Sequence, residues 1–222
     1  MSVSHSSVTV VKGEMYSIST EYSNHYTCEC RRFISKYNLK SNKWDKSVPC
    51  KFALAHGACL VAMGDYLYVL GGVFRDEAFA NALRLDTVKN KWKRIADMKM
   101  ARYDTCGIAV HGKIFVAGGV DGNIKHTETC EMYNASTNEW QVIASLNVPR
   151  ARASLLCLKE ALYVVGGDCF GEIVKTIESY DFETEEWKQK TEIPIYKVGQ
   201  VQSWTEFKAC QLAILKGVFV SL

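Results

Sequence analysis

Apolar and polar residues along this chain come in short, evenly spaced bursts. Between positions 102 and 143 four bursts follow one another: Thr105–His111, Lys113–Gly118, Thr129–Asn134 and Glu139–Ile143. Each alternates or runs apolar over the length of one strand and is too short for a helix. Gly118-Gly119 and Asp121-Gly122 interrupt the pattern with turn-forming residues. The pattern predicts a four-stranded antiparallel meander.

The same grammar recurs before and after this stretch. Gly71-Gly72, Gly118-Gly119 and Gly166-Gly167 repeat the glycine pair at spacings of 47 and 48 residues. Trp44, Trp92, Trp140 and Trp187 follow at spacings of 48, 48 and 47. Tyr37, Leu85, Tyr133 and Tyr180 each stand seven residues before a tryptophan. A period of about 50 residues marked this way predicts blades of a β-propeller. A unit this small cannot bury both faces alone, so neighbouring units must cover each other. Tyr133 and Trp140, and by register Tyr180 and Trp187, are the expected packing residues. The glycine pair ends a strand either at positive φ or where a second backbone leaves no room for a Cβ.

Glycine pair, tyrosine and tryptophan in this order resemble the kelch repeat, and the units are most similar to those of the BTB–kelch proteins. The resemblance covers nearly the whole chain and is strongest over Arg102–Trp187. It implies an all-β, kelch-type propeller of four-stranded blades in one domain spanning residues 1–222. The blades are expected at about 2–48, 52–94, 102–143 and 150–189, with half of a fifth at 206–222. The first is degenerate, with Ser19-Thr20 in place of the glycine pair and a polar segment Glu21–Cys30 after it. In the second, Leu85 replaces the tyrosine. Such a ring has about six blades, so this one is expected to be incomplete and to lack the BTB and BACK parts.

Composition narrows the function. Of 222 residues 48% are hydrophobic and 23% charged, and the net charge is +3. That is ordinary for a globular protein, and the basic residues form no run longer than Arg31-Arg32, which argues against nucleic acid. No apolar stretch approaches the ~20 residues of a membrane span, and the N-terminus lacks the layout of a secretory signal. Nine cysteines without framework spacing predict reduced thiols in the cytoplasm or nucleus. Cys59, Cys106 and Ser154 share one repeat position, as packing residues would. His25, Cys28 and Cys30 offer three metal donors, one short of a structural zinc set, so no metal or other cofactor is assigned. Neither GxSxG, HExxH nor a phosphate loop is present, and no enzyme is expected.

A meander puts the loops after the glycine pairs and the loops between blades on one face. That face carries Phe74, Arg75 and Asp76; Arg102, Tyr103 and Asp104; Asp121, Asn123 and His126; Arg150 and Arg152; and Asp168, Cys169 and Phe170. In kelch-like receptors this face binds the target peptide or degron. Arg152 falls on the contact position by its distance to Gly166, while the equivalent residues are Asp104 and Gly57. The basic pocket of an acidic-degron receptor is thus only partly reproduced. The alternative for Arg102 and Arg150 is that they brace blade edges through backbone carbonyls, and for Phe74 and Phe170 that they anchor their own loops. The resemblance implies a substrate-recognition propeller of a cullin-3 ubiquitin ligase adaptor, reaching cullin-3 only through a BTB-containing partner or longer form. The rival is an actin-binding or scaffolding kelch protein without a ligase role.

Overall fold

The computed structural model describes residues 3–22, 30–46, 50, 52 and 54–192. These contain no helix and form four four-stranded antiparallel sheets with three short two-stranded ladders. Blade one comprises Val3–Val11, Glu14–Tyr22, Cys30–Asn38 and Lys43–Lys46. Blade two comprises Cys59–Met63, Tyr66–Leu70, Ala82–Asp86 and Lys91–Arg94. Blade three comprises Cys106–Val110, Lys113–Ala117, Cys130–Asn134 and Glu139–Ile143. Blade four comprises Ser154–Leu158, Ala161–Val165, Thr176–Asp181 and Glu186–Glu192. Within each four-stranded sheet the strands neighbour one another in chain order, which makes each blade a simple meander. The fifth unit at 206–222, and His25 and Cys28, lie outside the described residues.

Cross-strand register sets which residues face which neighbour. In blade three Ile114 stands opposite Tyr133, and Tyr133 opposite Trp140. With Val116 these residues pack into one cluster with Val61, Tyr68 and Leu70 of blade two. The alternate positions Phe115, Ala117 and Cys130 pack on Leu162, Val164, Tyr180 and Trp187 of blade four. Both faces of the sheet are therefore apolar, which accounts for the continuous run KIFVA rather than strict alternation. Tyr133 and Trp140 rings lie 5.1 Å apart, and Trp140 Nε1–H donates to Ala96 O at 2.8 Å across the blade boundary. Burying one such ring removes roughly 150–250 Å² from water, a gross gain of about 4–6 kcal/mol at ~25 cal/mol per Å². Blade-on-blade cover, repeated at each junction, outweighs anything one hairpin could supply.

The glycine pair meets both conditions predicted for it. Gly118 and Gly119 have φ of 63° and 106°. A Cβ on Gly118 would stand 2.1 Å from Arg150 O, in the turn that leads into blade four. In blade one, Ser19 and Thr20 cannot make that turn cheaply. Its second strand instead runs on to Tyr22, which pairs with Cys30.

Candidate functional site

Inter-blade turns and post-glycine loops are zipped together on one face. Arg102 and Tyr103 pair with Asp121 and Val120, and bridges join His56 to Val73 and Ala151 to Asp168. Fourteen residues before each glycine pair stand Gly57, Asp104 and Arg152, all at positive φ (63°, 51° and 55°). Asp104 N–H donates to Gly57 O, and Arg152 N–H to Asp104 O, both at 2.8 Å. The contact positions of blades two, three and four therefore form one continuous main-chain rim. Strained backbone of this kind persists only where the surroundings over-determine it.

Two of the expected contact arginines are withdrawn from the face. Arg102 and Arg150 are both completely buried. Arg102 Nη1–H donates to Gly118 O (2.9 Å) and Thr129 O (2.8 Å), and its Nη2 meets Glu131 Oε1 at 2.8 Å. Arg150 repeats this on Gly166 O, Thr176 O and Glu178 at 3.0, 2.9 and 2.5 Å. Glu131 also accepts the backbone N–H of Lys99 and Met100, and Glu178 those of Asn147 and Val148. Meanwhile Arg102 O accepts Gly72 N–H at 2.9 Å, and Arg150 O accepts Gly119 N–H at 2.8 Å. Each arginine thus ties its own blade to the preceding one. Burial holds the Arg150 pKa below the ordinary arginine value despite Glu178. A guanidinium so enclosed braces the fold and presents nothing to a partner.

Asp168 is likewise fully buried, as the hub of a polar cluster at the junction of blades three and four. Arg152 spans Asp104 Oδ2 (2.8 Å) and Asp168 Oδ2 (2.5 Å). His126 Nε2 lies 3.3 Å from Asp168 Oδ2, and its Nδ1 accepts Phe170 N–H at 3.4 Å. The His126 and Phe170 rings lie 4.8 Å apart, so the blade-four loop rests on the blade-three loop.

Large apolar side chains stand exposed on the face among polar ones. Phe170 is 67% exposed, Ile124 66% and Phe74 46%, each in the loop after a glycine pair. Arg75 lies over the Phe74 ring at 5.2 Å. Asn123 is exposed, and its N–H donates to Asp121 Oδ1 at 2.8 Å, so Asp121 shapes the turn. Tyr103 is half-buried behind these loops. Ile124 and Ile173 escaped the sequence reading: a lone isoleucine in a polar loop carries no periodic signal. Glu131 and Glu178 escaped it as well, although they stand 47 residues apart, each two before the repeat tyrosine. Within blade two both partners are replaced together, by Ala55 and Leu83 at the equivalent positions.

Among the described residues no group of three His, Cys, Asp or Glu side chains could hold a metal ion. Burial pushes the Cys106 and Cys130 thiols up to about 12, which makes both inert. No helix of the described residues is long and apolar enough to cross a membrane.

Residues 4–209 match the family described as the KLHDC2/KLHL20/DRC7 Kelch-repeats domain. The chain belongs to the kelch-repeat family. Among its relatives, Kelch-like protein 40 of Mus musculus is 32% identical over 163 residues, covering 68% of this chain and 26% of that protein. Kelch-like protein 23 of Homo sapiens is 30% identical over 158 residues, covering 69% and 27%. Kelch-like protein 15 of Danio rerio is 26% identical over 192 residues, covering 75% and 31%. The chain thus spans between a quarter and a third of the length of these curated relatives. The solved structure of YjhT superimposes with a TM-score of 0.68 at 12% identity, covering 83% of this chain and 68% of that one, a likeness of fold alone. The kelch fold places the candidate face on the loops of consecutive blades.

Proposed function

We propose that this chain is a non-enzymatic protein-interaction module, the target-holding propeller of a BTB–kelch adaptor for a cullin-3 ubiquitin ligase. One observation carries the reading: three large apolar side chains, Phe74, Ile124 and Phe170, stand exposed on a face whose backbone is fixed by the rim of Gly57, Asp104 and Arg152. Exposed apolar groups on a rigid frame are what a protein interface requires, since little ordering entropy opposes docking. The kelch-like relatives support a binding role for the repeats. The cullin would be held by a BTB part carried on a longer form or a partner chain.

The test is affinity purification with the tagged chain and its Phe74→Ala/Phe170→Ala variant. At least one protein should be retained by the former and lost by the latter. Its cullin-3-dependent ubiquitylation should fall when the chain is supplied in excess, because the chain occupies the target without delivering it. Identical retention by both chains would contradict the face. Loss of retention without any effect on ubiquitylation would favour a scaffolding role.

A further inference from the structure

Carboxylates gather around Arg152 and Tyr103 on the loop face. Arg152, which resemblance marks for contact, is already held by Asp104 and Asp168, one cation between two carboxylates. Tyr103 stands beside three carboxylates: burial raises its pKa first, then Asp104, with Asp76 and Asp121 adding to the rise against Arg152. Asp168 Oδ1 is buried and has no hydrogen-bond partner among the described residues, so the hub carboxylate has acceptor capacity left over. Beside this acidic centre stand the exposed Phe74, Ile124 and Phe170.

We propose that the face takes a linear protein segment that presents a lysine or arginine side chain next to an aromatic or branched apolar one. The inference rests on the interaction reading above and names the chemistry of its partner. A cation that docks beside Tyr103 forms charge-assisted hydrogen bonds with the exposed Asp76 and the part-exposed Asp104. It can also lie over an aromatic face, as Arg75 already lies over Phe74. The neighbouring apolar side chain covers Phe170 and Ile124, which otherwise face water. An acidic segment finds Arg152 already committed to both of its carboxylates, and separating a partly buried pair leaves uncompensated charge behind.

The experiment is selection of random linear dodecapeptides displayed on phage against the 222-residue chain, with enriched sequences synthesised and titrated by fluorescence polarisation. The expected peptides carry Lys or Arg beside Phe, Tyr, Trp, Leu or Ile, and bind more weakly as salt is raised. Asp76→Asn and Phe170→Ala, both at exposed positions, should each weaken them roughly fivefold or more, as loss of an interface anchor does. Enrichment of acidic peptides whose binding is abolished by Arg152→Ala would overturn the inference and leave the interaction reading standing. An empty selection, or peptides indifferent to all three substitutions, would overturn both.

Discussion

Arg102 and Arg150 brace their blades through backbone carbonyls, the second of two readings, beside partner contact, that stay open from sequence. Arginine in a turn reads as exposed, because a charged side chain is seldom buried without a partner. The partner lies in another strand, and in sequence Glu131 and Glu178 are only two more acidic residues. What could have revealed the pair is its coordinated absence from blade two, where Ala55 and Leu83 occupy the same two positions, both buried. Glu131→Leu therefore strands the buried Arg102 and should cost about 3–5 kcal/mol of stability. The double variant Arg102→Ala/Glu131→Leu, which copies blade two, should be more stable than Glu131→Leu by at least about 1 kcal/mol. Urea unfolding of the two single variants and the double closes this cycle. Additive losses would mean that the pair is not a unit.

At the scale of the element, the strands and the glycine pairs were legible because they follow from backbone chemistry. Period-two patterning, and a residue free to adopt positive φ, announce themselves. The rim did not, because Asp104, Arg152, Ile124 and Phe170 adopt positive φ without being glycine (51°, 55°, 60° and 50°). The hairpins between third and fourth strands hold a further regularity. Asn38, Asp86, Asn134 and Asp181 each accept a backbone N–H two residues on. Four positions after each stands a residue at positive φ: Asn42, Asn90, Asn138 and Glu185, with φ between 54° and 56°. Asparagine tolerates that region and glutamate does not. Glu185→Asn should stabilise the chain by about 0.5–1 kcal/mol, read as a rise in thermal midpoint. An unchanged or lowered midpoint would mean that Glu185 makes a contribution in place that outweighs its backbone strain.

The whole molecule is a stack of mutually covering blades, with the post-glycine loops gathered on one face. Three thiols report on the stack. Cys59 sits at the junction of blades two and three, Cys106 and Cys130 at that of blades three and four, whereas Cys157 is exposed. Alkylation of the native chain, followed by mass spectrometry, should label Cys157 well before the other three, which should react only as the whole stack unfolds. Simultaneous labelling would show blades that part from one another locally. The family and the repeat were readable at this scale from glycine and tryptophan spacing. The proposed partner chemistry was not, because it follows from which carboxylates the fold gathers around Arg152 and Tyr103.

The central claim is that targets bind through the loops that follow the glycine pairs. The most direct measurement is photo-crosslinking in cells, with benzoyl-phenylalanine placed at Phe170 in one chain and, as control, at Val142, 57% exposed on the fourth strand of blade three. The account expects a discrete adduct from position 170, lost when Phe74 is also changed to alanine, and none from position 142. Adducts of equal yield from both positions, or from 142 alone, would place the binding surface elsewhere and contradict it.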